Sequence, residues 1–521
     1  MRVTNKMIMN NASSNINTTK EFVNIRNKQM TTQKKIDKPS DDPVIAVRSL
    51  RLSTTLSQVT QYYEKNIPDA SQWIRITETA LINMRDIVKD CKEISNAGAT
   101  DTKNSQDDRQ TLLTQLESLQ KQLFAEGNAD YANRTVFTGY RTDRNLTFTE
   151  DEDKTKYQIS QKLSVPELME EKRYYDGSVQ VPTTEKEVLA PSIEDHNDTD
   201  YRPISDIAQT NYYRIRLNYD DVHLVSPYNE NFLIKGTGVN DHPVTEYANE
   251  DEWSQAQGGK TVPAGEIIVI SSTGDIIFAD DVAAELKAGN ATLELTYEKT
   301  GFDKGELRPE YYYNCTKLKD ETGADLTKNN EYVKFDANGN RIHFDIEYTI
   351  AANQTIAINT EACDVFDSSI QRDLTEMIDA VKKAMSAYDK VQTIKSMKDE
   401  TQYASDKDQE WLNHWQEAAQ KEFDFYSNNM RKLFDTEIGK MTKYYDKISL
   451  AITDLGCKED SLKLTENRVG DQQQTVQGLQ SKNDDIELSQ IIIEYTAAYT
   501  AYQASLTAAG KLGDSTLLNY I

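Results

Sequence analysis

The chain is poor in the residues that usually mark metal, disulfide or catalytic chemistry. Its 521 residues include only four cysteines and five histidines. The cysteines (Cys91, Cys315, Cys363 and Cys457) lie far apart without a Cys-x-x-Cys pair, which is not the pattern of a zinc site or a dense disulfide framework. We expect four free thiols, buried or half-buried. The histidines never approach metal-ligand or triad spacing, which weakens an enzymatic interpretation.

Long apolar runs and an excess of positive charge are also missing. No apolar stretch approaches the roughly 20 residues that span a bilayer, so we expect no membrane insertion. The N-terminus has neither the apolar core nor the cleavage site of a secretory signal, so export would need another route. The formal net charge of −26 argues against nucleic acid as a partner, because nucleic acid requires a basic face.

Three short motifs are similar to ligand-binding loops, but each fits a structural role better. The "GGKT" at residues 258–261 lacks the first glycine of a phosphate-binding loop and is not followed by a helical pattern. The "DANGN" at residues 336–340 has Arg341 where a calcium loop needs glycine. The acidic "EDHNDTD" from Glu194 is typical of a solvated loop. We therefore predict no cofactor, no metal ion and no catalytic residue.

Helical periodicity dominates both ends of the chain. Apolar residues three and four apart predict helices over residues 67–91 and 112–123, closed near Gly98 and Gly127. Such stripes are most often an intramolecular core. The last helix is predicted from a regular stripe: Leu488, Ile492, Tyr495, Tyr499, Tyr502, Leu506 and Ala509. A neighbouring row continues it upstream: Val469, Val476, Leu479, Ile486 and Ile493.

The N-terminal tail carries a thinner stripe. Ile16, Val23 and Met30 recur every seventh residue, but the polar Thr19 and Arg26 stand between them. That stripe is too thin to fold by itself. After the tail, "KPSDDP" predicts a sharp helix start, because the prolines disfavour helix before them and an aspartate caps the backbone N–H groups. Asp42 is the predicted cap and Pro43 the first helical residue.

The period changes to two in the middle of the chain. Alternating apolar residues predict strands over residues 213–219 and 293–297. The Asn338–Gly339 pair predicts a tight hairpin. Its returning strand would place five side chains on one face: Ile342, Phe344, Ile346, Tyr348 and Ile350. The predicted class is α+β, with long helical-bundle or coiled-coil arms from both termini and an inserted β-rich domain.

Several stretches together resemble the flagellin superfamily, and within it the hook-filament junction proteins. The N-terminal "MRVTNKMIMNNASSNINTTKEF" and "PSDDP" match that family's N-terminal arm. "FAEGNADYANRTVFTGYRTD" matches the segment that closes the arm, and "TENRVGD" and "YTAAYTAYQASLTAAGKLGDSTLLNYI" match the C-terminal arm. The family-motif residues are Pro39, Ser40, Asp41, Asp42, Pro43, Phe137 and Gly139. The resemblance covers roughly residues 1–145 and 440–521.

The resemblance implies an extracellular structural protein of the bacterial flagellum, exported through the flagellar export apparatus without a cleaved signal peptide. Implied partners are hook-associated protein 1, flagellin, further copies in a ring-like assembly, and an export chaperone. Terminal helices that gain order on docking would drive assembly. The predicted interface residues are Ile16, Val23, Met30, Ile486, Leu488, Ile492, Ile493, Tyr495, Tyr499, Tyr502 and Leu506.

The predicted segments are a tail over residues 1–42, disordered in the monomer and helical in the filament; a helical arm over 43–140; a β-rich outer domain over 141–360; a second helical arm over 361–480, with a possible insertion near 395–443; and an assembly helix over 481–521. Two alternatives stay open. The chain could be a filament flagellin subunit, or its inserted domain could bind glycans or carry an enzyme.

Overall fold

The computed structural model describes residues 5–100, 105–195, 198–204, 207–336 and 338–514. These residues form two compact units. Unit 1 contains the described parts of residues 1–72, 347–357 and 458–521, and unit 2 contains those of residues 73–346 and 358–457. Each unit therefore combines segments that are distant in the sequence.

Long helices occupy both ends of the described chain, and short helices, α5 to α10, lie between them. They are α1 (Asn5–Thr32), α2 (Pro43–Gln61), α3 (Ile67–Ala99), α4 (Gln106–Gly127), α5 (Val165–Leu168), α6 (Glu185–Leu189), α7 (Tyr228–Asn231), α8 (Glu250–Gln257), α9 (Asp280–Ala288), α10 (Ala362–Val365), α11 (Ser369–Lys398), α12 (Asp406–Asp484) and α13 (Leu488–Asp514). A π-helical turn joins α2 to α3, and short 3₁₀ turns lie at Ala190–Ser192, Pro309–Tyr311 and Thr401–Tyr403. None of the helices in the described ranges has the length and apolar character needed to cross a membrane.

The strands lie in the middle of the chain. They are β1 (Asp130–Tyr131), β2 (Arg134–Thr135), β3 (Lys156–Ser164), β4 (Glu170–Asp176), β5 (Ala208–Arg216), β6 (Val222–Leu224), β7 (Phe232–Lys235), β8 (Val244–Tyr247), β9 (Ile267–Ile270), β10 (Asp275–Phe278), β11 (Thr292–Thr300), β12 (Asn314–Lys319), β13 (Glu331–Tyr332), β14 (Glu347–Ala351) and β15 (Gln354–Ala357). The predicted α+β class, with long helices at both ends and an inserted β-rich region, is confirmed. The five-segment division stays a prediction.

Two large sheets build most of the β-rich part of unit 2, beside the two-stranded sheet β1–β2. One has the order β4-β5-β10-β9-β8, with only its β8–β9 pair parallel, and the other has the order β13-β12-β3-β11-β6, with β7 also pairing with β11. Apolar residues from both sheets and from α9 form one core, which includes Ile159, Ile215 and Leu295. A second cluster around Trp253 covers the other face of the five-stranded sheet. All four residues of β9 are therefore buried, as expected for a strand covered on both sides.

The predicted helix boundaries near the N-terminus are confirmed. The Asp42 carboxylate accepts hydrogen bonds from the backbone N–H groups of Val44 (2.9 Å) and Ile45 (3.2 Å), and α2 begins at Pro43. α4 ends at Gly127, as predicted. α3 continues one residue past Gly98.

The predicted returning strand after Asn338–Gly339 is wrong over most of its length. A turn is present, since the Asp336 backbone N–H donates to the Asn340 carbonyl and Phe335 pairs with Arg341. The strand β14 begins only at Glu347, and Phe344 is exposed. An alternating pattern does not determine which strand pairs with residues 342–346. In the structure β14 pairs with β15, the next strand along the chain.

The upstream row from Val469 to Ile493 is also not one helix. α12 ends at Asp484 and α13 begins at Leu488, so Val469, Val476 and Leu479 lie on a different helix from Ile493. The cysteines are all free, but only three are buried or half-buried; Cys457 is exposed on α12.

Candidate assembly surface

The predicted interface residues of the N-terminal tail lie on one face of α1. Ile16, Val23 and Met30 are half-buried, and the face packs against α13. The polar residues that interrupt the row, Thr19 and Arg26, are half-buried on the same face. Arg26 forms an ion pair with Glu494 of α13 at 3.1 Å, so its charge is balanced within the contact. The thin stripe is therefore completed by a partner helix of the same chain.

The predicted stripe of α13 divides between two environments. Tyr495 and Tyr502 are half-buried on the side that faces α1. Five other predicted residues expose between 44% and 69% of their surface: Leu488, Ile492, Ile493, Tyr499 and Leu506. These five residues are called the exposed α13 face. An isolated helix pair thus leaves much of the apolar surface of α13 in water.

Sequence reasoning missed the most buried residue of this helix. Ile491 is fully buried at 0% exposure, and Ala498 is half-buried on the same side. Together with Tyr495 and Tyr502 they form a row spaced by four, three and four residues. Three consecutive isoleucines at 491–493 cover most of the helix circumference, so periodicity alone did not decide which one faces inward.

The remaining predicted interface residue, Ile486, lies between α12 and α13, beside the segment that joins α1 to α2. The segment between α1 and α2 pairs with the segment between α12 and α13 through two backbone hydrogen bonds. Lys35 N–H donates to the Asp484 carbonyl at 2.7 Å, and Ile486 N–H donates to the Gln33 carbonyl at 2.9 Å. We call these two segments, residues 33–42 and 485–487, the paired break.

Side chains reinforce the paired break. Lys34 forms an ion pair with Asp485 at 2.5 Å, and the Lys35 ammonium donates to the carbonyls of Lys482 and Asn483 at the end of α12. A cation is favourable there because the C-terminal carbonyls of a helix carry partial negative charge. The hydrogen bond from Lys34 and another from Ser481 lower the pKa of Asp485.

The two aspartates of the "PSDDP" motif accept hydrogen bonds from different backbone N–H groups. Asp41 accepts hydrogen bonds from the backbone N–H groups of Lys38 (2.9 Å) and Asp37 (3.1 Å), and these bonds lower its pKa. Asp42 caps α2, as described above. Pro39, Ser40 and Pro43 are exposed around them. The motif therefore shapes the chain between α1 and α2.

The other two motif residues lie in unit 2. Phe137 is buried, and its carbonyl accepts a hydrogen bond from Ala362 N–H at 2.8 Å. Gly139 has a φ of +69°, and a Cβ there would lie 2.9 Å from the Glu361 side chain. Glycine is the residue that tolerates this conformation and this close approach. Phe137 and Gly139 therefore fix a segment of unit 2 and are not part of the α1–α13 contact.

A second notable cluster, in unit 2, consists of buried charges. Arg214 and Arg216 of β5 form ion pairs with Glu170, Asp275, Asp373 and Glu376. The remaining cations are Lys172 and Lys440. A half-open cavity of about 460 Å³ lies beside these charges. Within the described ranges no group of three or more His, Cys, Asp or Glu side chains is arranged to hold a metal ion.

Glu437 is the fifth carboxyl of this cluster and differs from the others. It is fully buried, and apart from the Lys440 ammonium its oxygens have no polar partner at hydrogen-bond geometry within the described ranges. Lys440 lies 3.0 Å from it but also contacts Glu170 and Asp373. Burial and the nearby Asp373 carboxylate raise the pKa of Glu437 to about 8. The charges of Arg216 and Lys440, and a hydrogen bond from the Tyr444 hydroxyl at 2.6 Å, lower the pKa of Asp373, so Glu437 is the member of this pair that binds a proton first.

Exposed apolar side chains concentrate in unit 1. Of the 21 large apolar residues that are exposed within the described ranges, 14 belong to it. They lie on α1, α2, α12 and α13. Single exposed apolar residues are common on proteins, but a concentration of them often marks a surface that binds a partner.

Comparison with known proteins identifies the N-terminal part of the chain. Residues 3–142 match the model of the bacterial flagellin N-terminal helical region. Flagellar hook-associated protein 3 of Salmonella typhimurium is 30% identical over 145 residues, which are 27% of this chain and 45% of that protein. Its counterpart in Escherichia coli K12 is 32% identical over 130 residues, 25% of this chain and 39% of that protein. The matches thus span less than half the length of these relatives.

A solved structure of flagellar hook-associated protein 3 from Legionella pneumophila aligns with 83% of this chain and 98% of its own, at 12% identity and a TM-score of 0.29. A score this low does not establish a shared arrangement. The resemblance of residues 440–521 to the C-terminal arm stays a prediction. Residues 3–142 of the chain therefore match the bacterial flagellin N-terminal helical region, and the resemblance to flagellar hook-associated protein 3 is confirmed in that part of the sequence.

Proposed function

We propose that this chain is a structural component of the bacterial flagellum that joins hook-associated protein 1 to the flagellin filament. It would leave the cell through the flagellar export apparatus and act outside the cell in a ring of copies. No catalytic role is included in the proposal. The match of residues 3–142 to the flagellin family and the names of the two relatives support it.

The observation that carries the proposal is the exposed α13 face. Complete burial of an Ile or Leu side chain is worth about 1.5–3 kcal/mol. The five residues of this face are roughly half exposed, so covering them would contribute on the order of 5 kcal/mol. Association itself costs at least about 4 kcal/mol. A contact with one neighbour through this face alone would therefore be weak, and stable assembly needs several neighbours, as in a ring.

The same face would serve an export chaperone before assembly. An amphipathic helix with apolar residues at spacings of three and four suits binding in a groove. Leu488, Ile492, Tyr499 and Leu506 are four, seven and seven residues apart, which places them on one side of the helix, and they are exposed. Chaperone binding and assembly would then exclude each other on one surface.

The test uses a variant with Ile492→Gln, Ile493→Gln and Leu506→Gln in cells that lack the natural protein. We expect the purified variant to keep its monomeric fold, since these side chains are already exposed, and its cells to bear hooks without filaments under the electron microscope. A matched control carries Leu168→Gln, Leu233→Gln and Val333→Gln, three exposed apolar residues of unit 2. The control should restore filaments.

Two results would contradict the proposal. Normal filaments on cells that lack the protein would exclude a junction role. Long filaments formed by the purified chain alone would favour the alternative of a filament flagellin subunit.

A further inference from the structure

The outer side of α2 has an unusual composition for this chain. It exposes Val44, Val47 and Leu50, of which Val44 is 77% exposed. Arg48 and Arg51 are exposed beside them, and neither forms an ion pair within the described ranges. α2 contains no aspartate or glutamate. Val44, Val47, Arg48 and Arg51 lie within about 100° of one another around the helix axis, so they form a single basic and apolar stripe.

This stripe belongs to a basic region of a strongly acidic protein. Residues 1–51 contain ten lysines and arginines and four aspartates and glutamates, a net charge of +6. The whole chain carries −26. Copies of this chain would therefore attract one another through the N-terminal region of one copy and an acidic surface of the next.

A complementary surface is present on α12 of unit 1. Leu464 is 72% exposed, and Asp460 and Asp471 are exposed four residues before it and seven residues after it. These spacings place all three on one face of the helix. Neither aspartate forms an ion pair within the described ranges. Arg468, four residues after Leu464, is exposed on the same face, and its guanidinium donates a hydrogen bond to Gln354.

We propose that the outer stripe of α2 docks on the Asp460–Leu464–Asp471 face of α12 in a second copy of this chain. The inference rests on the proposed function, because it identifies a contact between copies in the assembly. Arg48 and Arg51 pair with the aspartates, and Leu464 packs against the valines. Both surfaces point outward from the same unit, so the contact links copies and is not satisfied within one chain.

The geometry of such a contact makes it propagate. Each copy offers two different surfaces, one on α2 and one on α12, so the contact can pass head-to-tail from one copy to the next as a heterologous contact. A heterologous contact closes into a ring or continues as a helix, depending on the rotation between copies. A symmetric dimer would instead have to form the α2–α12 contact twice, reciprocally, between the same two copies.

The test reverses the charges of each surface separately. One variant carries Arg48→Glu and Arg51→Glu, and the other carries Asp460→Arg and Asp471→Arg. We expect each variant alone to assemble only at about tenfold higher protein concentration at low salt, because each variant loses two surface ion pairs between copies. Since charges at a protein surface are screened by salt, the difference should shrink at 0.5 M salt. Circular dichroism and thermal melting would show that both variants fold.

The decisive sample is an equimolar mixture of the two variants. Every α2–α12 contact between unlike copies is then complementary again, so the mixture should assemble at the concentration of the unchanged chain. A control, Arg75→Glu on an exposed position of α3, should have no effect. Normal assembly of each variant alone, or no recovery in the mixture, would overturn the docking contact while leaving the proposed function intact. Failure of the unchanged chain to assemble would also overturn the docking contact, whereas normal filaments on cells that lack the protein would overturn the proposed function.

Discussion

At the scale of single residues, charge balance explains the state of Glu437. Its cluster contains five carboxyl groups and four cations: Glu170, Asp275, Asp373, Glu376 and Glu437 against Lys172, Arg214, Arg216 and Lys440. One proton on Glu437 makes the cluster neutral. An uncompensated charge in a buried site is costly, so the geometry and the raised pKa of Glu437 agree.

This gives a prediction of pH dependence. The pKa of Glu437 rises from 4.5 in the unfolded chain to about 8 in the folded protein. The folded state therefore binds one more proton between these values, and stability falls as the pH rises through that window. Glu437→Gln should remove the effect, increasing the free energy of unfolding by a few kcal/mol at pH 8 and little at pH 4.5. Denaturant unfolding at several pH values measures it.

The matched control is Glu417→Gln, on the same helix but with a side chain that is 80% exposed. It should leave the pH profile of stability unchanged. If Glu437→Gln gave the same change in stability at pH 5 and pH 8, the buried proton would be excluded.

Residue-level features were predictable from the sequence where they depend on neighbours in the chain. The Asp42 cap follows from "SDDP" and was predicted, because a capping side chain and its N–H donors lie within three residues. The charge cluster was not predictable. Its members come from β4, β5, β10, α11 and α12, and no spacing in the sequence brings them together.

At the scale of elements, sequence patterns predicted one of the two segments that form the paired break but not the other. The break after α1 was predicted from its prolines. The break between α12 and α13 was not, because residues 485–487 contain neither proline nor glycine. Its cause is non-local: Lys35 and Ile486 donate backbone hydrogen bonds across the two segments. The prediction of a strand over residues 342–346 was wrong for a related reason: an alternating pattern does not specify which strand it pairs with.

We predict that this backbone pairing holds α1 and α13 to the rest of unit 1. Lys35→Pro removes the N–H that donates to Asp484, and Lys34 before it is already in an extended bridge, as the residue before a proline prefers. Loss of one backbone hydrogen bond costs about 1 kcal/mol. Amide hydrogen exchange at Ile486 and in α13 should therefore become several-fold faster, with exchange in β9 and β10 unchanged.

Lys35→Ala is the control for this prediction, because it removes the ammonium group but keeps the backbone N–H. It should accelerate exchange less than Lys35→Pro. Equal effects of the two substitutions would assign the connection to the side chain, and no effect of either would contradict it.

At the scale of the whole molecule, the two units differ in how completely they bury their apolar residues. The sheets of unit 2 enclose a core with many residues at or near 0% exposure. Unit 1 instead exposes apolar residues on α1, α2, α12 and α13. The sequence predicted this contrast in part, since the tail stripe was too thin to fold alone. It did not predict which side of α13 faces inward, because three successive isoleucines fit either choice.

The central claim is that the terminal helices are completed by neighbouring molecules. Amide hydrogen exchange of α1 and α13, compared between dilute monomer and assembled protein, tests it most directly. The account predicts at least tenfold slower exchange in both helices after assembly, with β9 and β10 unchanged. Equal, strong protection of both helices in the solitary molecule and in the assembly would contradict it.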